Sequence, residues 1–114
     1  MKTTILCWSA WMLGCMGILP LPVRAETPVA IPVVIQDHRF HPEAIHVKAG
    51  RRALLVVENR DAGAEEFESH QLHRETILRG HTRKRIYIGP LRRGRYSFVG
   101  EFHEKTAHGT VIAE

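Results

Sequence analysis

From Tyr96 to Ile112 the chain makes a figure that few folds accommodate: a strand, a short loop crowded with ionisable groups, and a second strand. Tyr96 and Phe98 alternate with polar residues, which is the two-residue period of a half-buried strand. Gly100 interrupts that pattern, and Glu101, His103, Glu104 and His108 follow before the apolar pattern resumes at Val111. Two strands therefore hold a short loop that carries imidazole and carboxylate groups within a few residues of each other.

The rest of the chain repeats the short-strand pattern. Val29 to Gln36 is apolar and β-branched, with Pro32 confining it to an edge or a strand start. Ile45 and Val47 alternate before Ala49-Gly50, and Ala53 to Glu58 is a near-continuous apolar run ended by Asn59-Arg60-Asp61-Ala62-Gly63. Glu75 to Leu78 reads as a further short strand, and Arg85 to Ile88 alternates up to Gly89-Pro90. No segment sustains a helical period, so the pattern predicts an all-β sandwich.

The first residues are of another kind. Lys2 precedes an apolar run from Ile5 through Leu21, and Val23-Arg24-Ala25 satisfies the small-x-small rule, so residues 1–25 read as a signal peptide and 26–114 as one exported domain. A membrane anchor and a lipoprotein modified at Cys15 are the two other readings of this segment. Both cysteines, Cys7 and Cys15, lie in the leader with all 3 methionines, so residues 26–114 carry neither thiolate nor thioether. Of the 16 Lys and Arg residues Lys2 and Arg24 also fall there, leaving a small excess over 12 Asp and Glu. That balance excludes a dedicated nucleic-acid binder, which needs a concentrated basic face.

Three phrases carry a resemblance. Phe40-His41-Pro42-Glu43-Ala44-Ile45-His46-Val47-Lys48-Ala49-Gly50, Glu65-Glu66-Phe67-Glu68-Ser69, and the loop Gly100-Glu101-Phe102-His103 through Gly109 together resemble a cupredoxin-like domain. The chain resembles in particular the EfeO-type group and the small periplasmic proteins of ferrous-iron transport operons. The resemblance implies a Greek-key β-sandwich in the periplasm. In blue-copper cupredoxins the loop reads Cys-x2-His-x4-Met, and a further His comes from a neighbouring strand. Here Gly100 takes the Cys position, His103 keeps the His, His108 takes the Met, and Glu65 takes the first ligand position.

The resemblance therefore implies a metal site led by His103 and Glu65, with Glu66, Glu101 and His108 as further or supporting groups. Imidazole and carboxylate suit Cu(II), Fe, Zn or Mn, whereas a blue site needs thiolate. Copper or iron is the implied ion, in an accessory of ferrous-iron uptake or in assistance to Fe(II) oxidation. The plainer reading is a decayed site in which His103 only caps its loop and His108 points outward. His38 with His41, and His70 with His73, are surface candidates, and Glu68 should face away from the core.

Arg79, Arg83, Lys84, Arg85, Arg92, Arg93 and Arg95 form a basic band in the second half. It reads as a solvated face that protects strand edges, or as a docking patch for an acidic transport component. Three function classes follow: a metal-binding accessory working with periplasmic or inner-membrane iron-transport components, a metal-free interaction module, and an electron-transfer cupredoxin. The missing thiolate argues strongly against the last.

Overall fold

The structure, a computed structural model, describes Thr3, Gly14, residues 17–22 and residues 27–114. The cleavage signal Val23-Arg24-Ala25, Cys15 and most of the apolar leader lie outside the described residues. Among the described residues no helix is long and apolar enough to cross a membrane.

Strands β1 (Ala30–Gln36), β2 (Arg39–His41), β3 (Ala44–Val47), β4 (Ala53–Asn59), β5 (Glu65–Ser69), β6 (Arg74–Leu78), β7 (Arg83–Ile88), β8 (Gly94–Gly100) and β9 (His108–Ala113) follow one another along the chain. A single 3-10 turn, Glu101–His103, lies between β8 and β9. One sheet has the order β2-β1-β4-β7 and the other β3-β9-β8-β5-β6. The expected all-β sandwich is what forms.

β1 shows how local chemistry and topology are reconciled. It is flanked on both sides, by β2 and β4, although Pro32 predicts an edge. The register explains this: β2 pairs only with Val34, Ile35 and Gln36, so on that side Pro32 meets no partner strand. The missing N–H of proline costs no ladder bond there.

The two sheets close on Val33, Ile35, Phe40, Leu55, Val57 and Ile86 from one and Ile45, Phe67, Leu78, Phe98 and Val111 from the other. Each fully buried side chain of this size contributes about 1.5–3 kcal/mol through lost apolar exposure. Phe98 is the hub: its ring is stacked on Phe67 at 5.0 Å and meets Phe40 edge-on at 4.9 Å. Gly109 on β9 leaves the room for it, because a Cβ there would run into the Phe98 ring and lie 2.5 Å from the Glu43 carbonyl oxygen.

This core supports the turns at one end of the sandwich. Asn59, at the end of β4, is fully buried and donates from Nδ2 to the carbonyl oxygens of Gly63, Leu78 and Arg79. Its Oδ1 accepts the Asp61 N–H at 3.0 Å. The β4–β5 loop is thereby tied to β6, and the position of Glu65 follows from it.

Candidate metal centre

Consecutive residues of a strand point to opposite faces, and β5 applies that rule to its acidic run. Glu65, Phe67 and Ser69 are buried on the core side, whereas Glu66 and Glu68 lie on the outer side of the sheet. The two adjacent carboxylates expected in one cluster are thus separated by the sheet itself.

On the core side Glu65 is 2% exposed. Its Oε1 accepts the N–H groups of Phe102 and Glu66, each at 3.0 Å, and Oε2 lies 2.6 Å from His103 Nδ1. Because a carboxylate only accepts, the proton of this bond sits on Nδ1, which leaves Nε2 as the free lone pair. A Cβ built on Gly100 would stand 2.7 Å from Glu65 Cδ and 2.7 Å from Ala107 Cβ. The carboxylate therefore fills the volume that a side chain at the Cys position would use.

The loop is closed around this pair. Gly100 N–H donates to the Ala107 carbonyl and Ala107 N–H to the His103 carbonyl, both at 2.8 Å. Ala107 is fully buried and His108 is exposed, so His108 begins β9 outside this group. With Glu65 satisfied, Gly100 without a side chain and His108 turned away, the residues present do not fit a metal ion held in the blue-copper manner.

On the outer side, one oxygen each from Glu66, Glu75 and Glu101 lies within 4.8 Å of the others. β5 supplies Glu66, β6 supplies Glu75, and the 3-10 turn supplies Glu101. The β5–β6 register sets Glu68 directly opposite Glu75, so like charges face each other across the strands, an arrangement that is unfavourable without a compensating cation. Glu66 is 7% exposed, and no Lys, Arg or His among the described residues forms an ion pair with it. Hydrogen bonding with Glu75 first, then desolvation, then the charge of Glu101 push its carboxyl up to about 7. Glu68 is also raised, by hydrogen bonding with Glu101 first and then by desolvation, while His70 at 3.2 Å opposes the shift. Here the residues do fit an ion, a hard one that accepts oxygen ligands.

Of the five residues expected at one site, the structure brings His103 to Glu65 and Glu101 to Glu66, and leaves His108 apart. Sequence reasoning missed Glu75. Its signal was present in the hairpin, where pairing β5 with β6 sets an acidic residue opposite an acidic residue. His46 pairs with Glu114 at 2.8 Å, and His41 Nε2 lies 3.3 Å from the Gln36 carbonyl. His38 and His41 do not come together: His38 instead lies flat on His103, with ring centroids 3.6 Å apart and planes 13° from parallel.

Comparison with known proteins gives a consistent picture. A family model described as "Cupredoxin-like domain" matches residues 3–113. An uncharacterized protein of Rickettsia prowazekii is 40% identical over 82 residues, 72% of this chain and 66% of that protein, just under two thirds of its length. Auracyanin A, a blue copper protein of Chloroflexus aurantiacus, superposes with a TM-score of 0.66 at 12% identity, covering 77% of this chain and 100% of its own. The metal-binding domain of a Cu(I)-exporting P-type ATPase of Streptococcus pneumoniae gives 0.66 at 17% identity, over 75% and 84%. A purple cupredoxin from Nitrosopumilus maritimus gives 0.56 at 16% identity, over 73% and 98%. At these identities the structural likeness establishes the fold.

Proposed function

The chain belongs to the cupredoxin-like domain family, and from that premise we propose that it is an exported, periplasmic metal-binding accessory of ferrous-iron uptake whose ion is held by Glu66, Glu75 and Glu101. The observation that carries this reading is the convergence of three carboxylates within 4.8 Å around Glu66, a buried group without a cationic partner among the described residues. An ion bound there would supply positive charge beside Glu66, which has no cationic partner among the described residues.

The donor set selects the ion by hardness. Oxygen ligands favour an oxidised or hard cation such as Fe(III) over Cu(I). Cu(II) also binds such a set strongly in the test tube, since it heads the Irving–Williams order. Glu66, with its carboxyl at about 7, carries a proton for part of the time at neutral pH. Metal binding displaces that proton, so uptake and release by this cluster depend on pH.

The alternative is a metal-free interaction module of a transport complex. Arg83, Lys84 and Arg85 are exposed on β7, an edge strand, and offer a basic surface to an acidic component. Electron transfer is disfavoured, because the position of the thiolate is occupied by the Glu65 carboxylate.

The deciding experiment is calorimetry of Fe(III)–citrate and Cu(II) binding to the chain carrying Cys7→Ser and Cys15→Ser, which removes competing thiolates. Glu66→Gln and Glu75→Gln should each weaken Fe(III) binding by well over tenfold, given that changes even beyond the direct ligands cost about 10–100-fold. Unchanged Fe(III) affinity in both variants would remove the carboxylate site. Iron uptake that survives both substitutions but fails when Arg83, Lys84 and Arg85 are neutralised would favour the interaction module.

A further inference from the structure

The turn between β1 and β2 holds two consecutive residues in the left-handed region, Asp37 at φ 53° and His38 at φ 57°. Such a two-residue hairpin turn is the usual place for Asn or Gly. Here the Asp61 carboxylate accepts the N–H groups of both, at 2.8 Å and 3.0 Å, and Thr106 Oγ1 donates to the His38 carbonyl at 2.6 Å. Two separate segments thus fix the backbone of His38.

The side chain so placed is an imidazole whose ring nitrogens make no hydrogen bond among the described residues. It lies face to face with His103 at a centroid separation of 3.6 Å. His103 is itself fixed, because its Nδ1–H is given to the buried Glu65 carboxylate and its Nε2 lone pair is left free. A histidine oriented by a carboxylate through one nitrogen, with the other unengaged, is the usual arrangement of a metal-ligating imidazole. Asp61 supplies negative charge nearby. Burial opposes its ionisation, but the His38 and Asp37 N–H donors hold its carboxyl below the ordinary range.

We propose that His38 and His103 form a second metal site, an imidazole pair for a divalent borderline ion, with Cu(II) preferred, and that Glu65 is the positioning residue of His103. The site uses neither the ligands nor the face of the Glu66 cluster, so it stands or falls independently. It also lies apart from the position of a blue-copper ion, because the Glu65 carboxylate fills that volume and the second imidazole comes from the β1–β2 turn. In the metal-free chain the two rings stack. Joint ligation requires the His38 ring to rotate out of the stack, and no hydrogen bond opposes that motion.

The test is electron paramagnetic resonance of one equivalent of Cu(II) in the Cys7→Ser, Cys15→Ser chain. The expected spectrum shows nitrogen hyperfine structure from two imidazoles. His38→Asn keeps a residue that tolerates positive φ, so the turn survives while the ligand is lost. It should reduce the count to one nitrogen and lower affinity by more than tenfold. Glu65→Gln should lower affinity about 10–100-fold with both nitrogens retained. A two-nitrogen spectrum that persists in His38→Asn overturns the proposal. An oxygen-only spectrum abolished by Glu66→Gln also overturns it, and it would assign the copper to the carboxylate cluster.

Discussion

Glu65 and Glu66 are adjacent in the chain, yet their carboxyl groups lie on opposite faces of β5, one locked by three hydrogen bonds against the core and the other set among carboxylates. Their chemistry diverges accordingly. Glu65 can neither gain nor lose a partner without disturbing the loop, while Glu66 sits among carboxylates with no cationic partner among the described residues. Substitutions at the two positions should produce unlike effects.

Glu66 makes the metal-free protein sensitive to alkali in an unusual sense. Its folded carboxyl is raised to about 7 from an ordinary 4.5, so the folded state holds the proton more tightly than the unfolded chain. The contribution of this group to stability is therefore fully present below about 4.5 and declines as pH rises towards about 7, because the folded state must then accommodate the charge. Urea midpoints measured in chelator should fall across that interval in the wild type and stay flatter in Glu66→Gln. A wild-type midpoint that rises across the interval would contradict the burial of this group among like charges.

Asp61 carries the opposite sign. Its carboxyl is lowered from 3.8 by the turn it supports, so its contribution is present above about 3.8 and is lost as pH falls through the lower folded value. Asp61→Ala should cost about 1–2 kcal/mol at neutral pH, since two hydrogen bonds to a charged acceptor vanish from a partly exposed site. Amide exchange at Asp37 and His38 should accelerate in that variant. Unaltered protection there would mean that the turn does not depend on Asp61.

Copper spectroscopy separates this chain from the blue members of its fold. With Cys7 and Cys15 replaced, Cu(II) should give weak d–d absorption and no intense thiolate charge-transfer band. Gly100→Ala should destabilise by about 1–3 kcal/mol through overpacking against Glu65 and Ala107, detected as a lower denaturation midpoint. An unchanged midpoint would show that the volume beside Gly100 is empty.

Gly109→Ala probes the packing below the loop. The added methyl meets Phe98 and the Glu43 carbonyl, backbone and ring that cannot move aside easily, so a loss of about 1–3 kcal/mol in stability is expected. The same substitution at Gly63, where nothing lies within 4 Å, should change stability by less than about 0.5 kcal/mol. Equal effects at the two positions would contradict this packing.

The strands and the sandwich were legible because alternation and turn residues are local signals: Tyr96 with Phe98, Ile45 with Val47, and the breaks at Gly50, Gly63 and Gly89. The site was legible only in part. His103 and Glu65 are read from spacing within a loop and a strand, and they do meet. The separation of Glu65 from Glu66 follows from strand pleat alone and could have been read from the β5 pattern. Glu75 required the β5–β6 register, and His38 required knowing which hairpin turn reaches the 3-10 turn. Those are contacts across 65 residues of chain for His38 and His103, and no periodicity encodes them.

The order of the strands has a consequence for biogenesis. β9 lies between β3 and β8 and pairs with both, yet it follows every other strand of that sheet in the sequence. The larger sheet therefore lacks an inner member until β9 has been made, and its long-range pairings cannot close before then. Closure of the sandwich is thereby set by where β9 falls in the sequence, not by the strands that precede it.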